Sequence, residues 1–314
     1  MAALEIRGVY PPMLTPFTKA GDVDYNAHKK NLDRWNKIDL GGYLALGSNG
    51  ETPYLKETEK LKLIELTLQY AARGRTILAG TGLESTRETI RLTNKAAEIG
   101  AHAALILTPC FYGSQMTDAV LVQHYRQIAD ASRIPILIYN MPACTHINIS
   151  VEAVKTLSQH PNIIGMKDSS GDVPRLGVLK EAVPQSFNLV AGTASVWYPA
   201  LTLGIRAGIL ALSNFAGAEC VTVQKYYEAG ETEKSKNLHE RLVPVNKAVT
   251  STYGVAGLKH AASLLGYESG WVRNPLVPLD ETAQREIKGL LSAAGLISSA
   301  QTAALSSAPV EGQA

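Results

Sequence analysis

The chain has 314 residues, 46% of them hydrophobic, enough for one large domain or two small ones around a well-developed core. Thirty basic residues against 28 acidic ones leave a formal charge of +2, which gives no reason to expect nucleic acid or an acidic membrane surface as partner. Three cysteines without a CxxC pair argue against a disulfide framework and for reduced thiols in a cytoplasmic protein; no signal-peptide pattern opens the chain, and no apolar run reaches the roughly 20 residues that a bilayer demands.

Residues 6–10 read as a first strand, after which Pro11-Pro12 and Thr15-Pro16 impose an extended loop. Leu32, Trp35 and Ile38 keep helical spacing over 25–38, and Gly41-Gly42 stop that helix. A short apolar strand at 43–46 empties into Gly47-Ser48-Asn49-Gly50-Glu51, a turn-rich loop with free backbone N–H groups. The unit then repeats. A helix is expected over 57–73, with Leu61, Ile64, Leu68 and Ala72 on one face, and a strand over 76–80. Ser85-Thr86-Arg87-Glu88 fits a capping box and opens a helix that ends at Gly100. The strand 103–107 is closed by Thr108-Pro109, a helix follows over 117–132, and the strand 135–139 is closed by Asn140-Met141-Pro142. A short helix from 151 stops at His160-Pro161.

The next stretch, Ile163-Ile164-Gly165-Met166-Lys167-Asp168-Ser169-Ser170-Gly171-Asp172, runs apolar residues into one lysine and then into turn formers. It reads as a buried strand ending at Lys167. Two readings of that lysine stand side by side. Over a hydrophobic floor, desolvation disfavours the ammonium and frees the amine to attack a carbonyl. Alternatively, the side chain snorkels outward and pairs with Asp168.

Strands at 188–192 and 208–212 complete a set of eight, with a helix between them. Their continuous apolar character is that of parallel strands buried on both faces. Eight β/α units over roughly 215 residues predict an α/β fold, a (β/α)8 TIM barrel. Helical pattern alone follows, at 218–228, 231–250, 255–265 and 280–294. The expected organisation is a barrel over 1–215, a C-terminal helical extension over 216–297 and a disordered tail over 298–314.

In such a barrel the loops after the strands open on one face, which gathers Gly47–Glu51, Tyr139–Pro142 and Lys167–Asp172. Lys167 is the only lysine at a predicted strand end. As a nucleophile it turns a ketone into an iminium, next to which a C–C bond can be made or broken. Tyr139 can pass protons there, or be a tyrosine of the core edge with a satisfied hydroxyl. Ser48 and Asn49 can hold a carboxylate by hydrogen bonds, though a plain strand-to-helix turn wants the same residues. Gly192 and Leu210, on the seventh and eighth strands, join the substrate-binding candidates. The seven histidines show no HExxH and no close Cys/His spacing, so no metal is expected. Gly42 to Ser48 lacks the Gly-Lys-Ser/Thr ending of a phosphate loop, and there is neither a GxGxxG after a strand nor a GxSxG elbow.

Taken together, Gly47-Ser48-Asn49-Gly50-Glu51, Tyr139-Asn140-Met141-Pro142 and Gly165-Met166-Lys167-Asp168-Ser169 resemble the pyruvate-dependent class I aldolases, the family of dihydrodipicolinate synthase and N-acetylneuraminate lyase. The resemblance spans about 6–296. It implies a barrel with a C-terminal helical region, a homotetramer, and no cofactor beyond a covalent lysine Schiff base with pyruvate. It implies Lys167 as the Schiff-base lysine, Tyr139 as the acid/base tyrosine, and Ser48 and Asn49 as binders of the keto-acid carboxylate. His160 through Ser169, Thr108-Pro109-Cys110, Ala248-Val249-Thr250 and Gly257-Leu258-Lys259 look most like 4-hydroxy-2-oxoglutarate aldolase, which cleaves its substrate to pyruvate and glyoxylate. Ser169 is then a candidate for the far carboxylate.

Three departures bear on the acceptor. Where the synthases carry an arginine that grips the semialdehyde carboxylate, this chain has Cys144. Ser48-Asn49 replaces the two threonines usual in the first loop. Phe111 stands where a tyrosine reaches across the subunit interface in the synthases, so either Tyr112 supplies the hydroxyl of the proton relay or the relay differs. Alternatives are dihydrodipicolinate synthase itself, another pyruvate-dependent synthase or dehydratase, or a keto-acid-binding protein without turnover.

Overall fold

The computed structural model describes residues 4–297; the expected tail at 298–314 lies outside them. Eight parallel strands form the sheet: β1 (Gly8–Tyr10), β2 (Gly42–Ala45), β3 (Thr76–Gly80), β4 (Ala103–Leu107), β5 (Ile136–Asn140), β6 (Ile163–Asp168), β7 (Asn188–Ala191) and β8 (Ala207–Ile209). Their order is β1-β8-β7-β6-β5-β4-β3-β2. The two ends meet through the extended loop after β1. Gly41 donates its N–H to the Val9 carbonyl, Leu44 to that of Pro11, and Met13 to that of Leu44, each at 3.0 Å. The result is a (β/α)8 TIM barrel with a C-terminal helical part.

The apolar runs divide by alternation. Tyr10, Leu44, Leu78, Leu105, Leu137, Val190 and Ile209 pack together inside the barrel. Val9, Tyr43, Ile77, Ala104, Ile106, Ile138 and Met166 belong to the larger core shared with the surrounding helices. Burying each large side chain contributes about 1.5–3 kcal/mol, so register is strongly specified on both faces.

On β6 the alternation carries one extra residue. Ile136 faces Ile163 but Leu137 faces Gly165, so Ile164 is bulged out of the ladder. Counted on from Ile163 without the bulge, Met166 would face Tyr139 and Lys167 would enter the helix-facing core. The effective cost of an unpaired ammonium there is several kcal/mol, more than a methionine gains. With the bulge, Lys167 faces Tyr139 on one side and Val190 on the other. Gly165 is required beside it, because a Cβ would lie 2.4 Å from the Asn188 carbonyl oxygen.

The helices follow expectation with shifts at their ends. The first runs over Tyr25–Trp35, its N-terminus capped by Asp24, and stops three residues before Ile38. Thr232–Lys247 passes into a π-helical turn, Ala248–Thr252, before Gly254–Leu264. A four-residue helix, Pro142–Thr145, directly after Tyr139-Asn140-Met141, was not legible in the pattern, since Pro142 reads as a breaker. The C-terminal part lies over the end of the barrel at which β7 and β8 terminate. Thr232–Lys247 packs on the turn Ala194–Val196 after β7, and Gly254–Leu264 on the turn Ala211–Asn214 after β8. Among the described residues no helix is long and apolar enough to cross a membrane.

Candidate active site

β5 and β6 bring their ends together, and Lys167 and Tyr139 meet there. Lys167 is 2% exposed and Tyr139 4%. The lysine Nζ lies 4.0 Å from the centroid of the Tyr139 ring. Among the described residues that amine has no hydrogen-bond or carboxylate partner. The snorkelling alternative therefore fails, because Asp168 is fully engaged elsewhere. Its Oδ2 accepts from Arg175 Nε and from Asn140 Nδ2, both at 3.0 Å, and its Oδ1 accepts from the Ser170 backbone N–H at 2.8 Å. Asn140 Oδ1 in turn accepts from the Ile149 backbone at 3.2 Å. This cluster ties the two strand ends on the side away from the lumen.

The turn after β2 supplies the third component. Ser48 and Asn49 open the 3-10 turn Ser48–Gly50, and both are half-buried. Ser48 Oγ lies 3.2 Å from Tyr139 Oη, within hydrogen-bond range in either direction. Left-handed backbone flanks the turn at Leu46, φ 62°, and Glu51, φ 55°. Such conformations persist in non-glycine residues only where the surroundings over-determine them. Here the Thr15 hydroxyl donates to the Gly50 carbonyl at 2.7 Å, and the Thr52 hydroxyl to that of Gly47 at 2.8 Å. Glu51 is held more tightly still, by Lys259 from the C-terminal part, with Nζ 2.6 Å from Oε1. Burial pushes the Lys259 amine down to about 8 while Glu51 opposes the shift.

Ser169, Gly192 and Leu210 directly follow the ends of β6, β7 and β8. Ser169 donates its backbone N–H to the Asn140 carbonyl at 2.9 Å and its hydroxyl to the Gly192 carbonyl at 3.3 Å. Gly192 donates to the Asp168 carbonyl at 2.8 Å, and a Cβ on it would lie 2.0 Å from Ser169 Oγ. Leu210, directly after β8, gives its N–H to the Tyr10 carbonyl, its own carbonyl accepts from Ser213, and its side chain lies in the helix-facing core.

Phe111 and Tyr112 stand on the rim, 78% and 65% exposed, in an edge-to-face pair 5.0 Å apart. The Glu84 carboxylate fixes their loop, accepting from the backbones of Cys110 and Phe111 at 2.9 Å each. Cys144 is exposed on the short helix after Tyr139; burial of its thiol raises its pKa, and the nearby Lys167 charge opposes this. Among the described residues, no three His, Cys, Asp or Glu side chains gather as metal ligands.

Two features escaped the sequence reading: the Asp168 cluster and the Glu51–Lys259 pair. Lys259 did carry a signal, as a lysine on an otherwise apolar face of the pattern 255–265. Its partner lies in a distant turn that no local pattern reaches.

Comparison with known proteins decides the family. The profile of the Dihydrodipicolinate synthetase family matches residues 5–294. The chain belongs to that family. Enzymes of the family hold pyruvate as a lysine Schiff base and need no cofactor. The 4-hydroxy-tetrahydrodipicolinate synthase of Thermodesulfovibrio yellowstonii is 32% identical over 291 residues, 93% of this chain and 99% of that protein. The dihydrodipicolinate synthase of Acinetobacter baumannii, solved with pyruvate, superposes with a TM-score of 0.89 at 30% identity, covering 93% of this chain and 100% of its own. YagE, a prophage protein of the same family from E. coli K12, also solved with pyruvate, gives 0.88 at 30% identity, covering 93% and 99%. The resemblance to the pyruvate-dependent aldolases thus holds at the level of the family. At the finer level the curated relatives are named synthases rather than 4-hydroxy-2-oxoglutarate aldolases.

Proposed function

We propose that this chain is a Schiff-base-forming enzyme acting on pyruvate or a 2-keto acid that contains it, with Lys167 as nucleophile. One observation carries the reading: a buried lysine amine with no counter-ion among the described residues, 4.0 Å from the ring of a tyrosine whose hydroxyl meets Ser48. The amine adds to the ketone carbon, water leaves, and the resulting iminium draws electrons from the adjacent carbon. Tyr139 gives the proton that lets water depart, with Ser48 as its exchange partner. Ser48 and Asn49 hold the carboxylate, and Ser169 and Gly192 line the approach from β6 and β7.

For the bond that breaks, we propose retro-aldol cleavage of 4-hydroxy-2-oxoglutarate. The C3–C4 bond yields its electrons to the iminium, and the C4 hydroxyl gives its proton to the Tyr139 phenolate as C4 becomes the aldehyde of glyoxylate. The enamine left on Lys167 takes up a proton and is hydrolysed to pyruvate. Cys144 supports this reading, since a thiol cannot grip a semialdehyde carboxylate as a guanidinium does. The relatives' names favour the other reading, condensation of pyruvate with aspartate semialdehyde. We propose further that the chain assembles as a homotetramer, and the exposed pair Phe111 and Tyr112 offers a contact between copies at this rim.

Borohydride added with pyruvate is expected to fix pyruvate's mass on Lys167. Mass spectrometry that finds Lys167 unlabelled in folded protein disposes of the mechanism. Rates on 4-hydroxy-2-oxoglutarate and on pyruvate with aspartate semialdehyde then decide between the two acceptors.

A further inference from the structure

The turn that offers Ser48 and Asn49 ends at Glu51, which is 2% exposed and left-handed. A buried carboxylate is retained only with charge or hydrogen bonds to meet it. Here they come from the opposite end of the chain. Lys259, on the helix Gly254–Leu264, meets Oε1 as an ion pair, and the Arg273 backbone N–H donates to Oε2 at 2.8 Å. Lys259 is itself fixed: it donates to the Trp271 carbonyl and lies 4.5 Å from the centroid of the Phe17 ring. The segment carrying Trp271 and Arg273 is bolted to the barrel in turn. Arg273 grips both oxygens of Glu59 at 2.8 Å and donates to the Tyr54 carbonyl at 2.8 Å. Trp271 donates its N–H to the Phe17 carbonyl at 2.9 Å.

We propose that Lys259 and Glu51 are a positioning pair for the keto-acid carboxylate: the ammonium from the C-terminal part holds Glu51 left-handed and so aims Ser48 and Asn49 at the substrate. The inference rests on the aldolase reading above. It gives the C-terminal helices a task in the reaction, although neither residue touches Lys167 or Tyr139. Without the ammonium, Glu51 either takes up a proton or turns toward water. Both outcomes release the left-handed residue that orients the turn. Substrate binding weakens, while the amine and the phenol stay in place.

The test measures the pyruvate concentration that half-saturates borohydride trapping on Lys167, together with thermal melting. Lys259→Met is expected to raise that concentration about tenfold, the loss of roughly one charge-assisted hydrogen bond to the carboxylate. Trapping at saturating pyruvate should reach the wild-type extent. Lys259→Arg, which keeps the charge, should recover most of the difference. The double variant Glu51→Gln/Lys259→Met removes both charges at similar volume and serves if the single variant fails to fold. It should melt near the wild type and still half-saturate late. If folded variants half-saturate where the wild type does, this inference is overturned alone. If wild-type Lys167 gains no mass, the aldolase reading falls and takes this inference with it.

Discussion

Two lysines of this chain are equally hidden and meet opposite surroundings. Lys167 is 2% exposed and Lys259 3%, and each lies over an aromatic ring, Tyr139 and Phe17 respectively. Lys259 meets a carboxylate at 2.6 Å and a backbone carbonyl; Lys167 meets neither among the described residues. A buried ammonium with its counter-ion fastens two segments, and removing one partner strands the other. An amine without one has nothing to hold it away from an incoming carbonyl. The difference teaches that burial alone does not mark a nucleophile; in the proposed mechanism the nucleophile is the buried amine that has no partner among the described residues.

The comparison breaks most readily at Lys167. Lys167→Ala should lower turnover at least about a thousandfold, since the covalent step has no substitute. Its melting temperature should fall by no more than the loss of the buried lysine stem accounts for, because no ion pair is broken; a variant that unfolds instead would make Lys167 a structural lysine like the other. Tyr139→Phe should cost about a hundred- to ten-thousandfold in turnover with folding intact, read from steady-state rates and circular dichroism. Lys259→Met should reverse the pattern. Urea denaturation should find about 3–5 kcal/mol of stability lost, as for other buried pairs broken on one side, with much of it regained when Glu51→Gln is added.

A third buried base sharpens the contrast by pH. His28 is 2% exposed, contacts the Thr67 hydroxyl at 3.1 Å, and is pushed down to about 4 by burial. Its folded value lies below the unfolded one of about 6.5, so the unfolded chain takes up the proton first on acidification. Stability from this group is therefore full above pH 6.5 and falls toward pH 4, by about 3 kcal/mol at the limit. Urea unfolding at pH 7 and pH 4.5 should follow that slope, and His28→Gln should flatten it.

The barrel was legible because its strands are continuous apolar runs separated by helical spacing, a pattern each segment carries by itself. Lys167, Tyr139 and Ser48 were legible for the same reason, since strand ends can be counted along a chain and one topology sends them to one face. The bonds that hold them were not. The Arg273 backbone reaches Glu51 across 222 residues, and Asp168 joins Arg175, Asn140 and Ser170 through side chains whose directions alternation alone does not give. Leu210 marks an element boundary that the pattern did not give. It sits where a strand was expected to continue, but β8 ends at Ile209 and the next residues coil into Ala211–Asn214, where Ser213 donates to the Leu210 carbonyl.

Ile164 has a last consequence. Because it sits outside the ladder, residues before and after it answer to different constraints: Ile163 to the loop that precedes the strand, Lys167 to the phenol across from it. Losing Ile164 would straighten the strand and leave the amine where it is. The extra residue is absorbed within the strand, and the nitrogen keeps its place across from Tyr139.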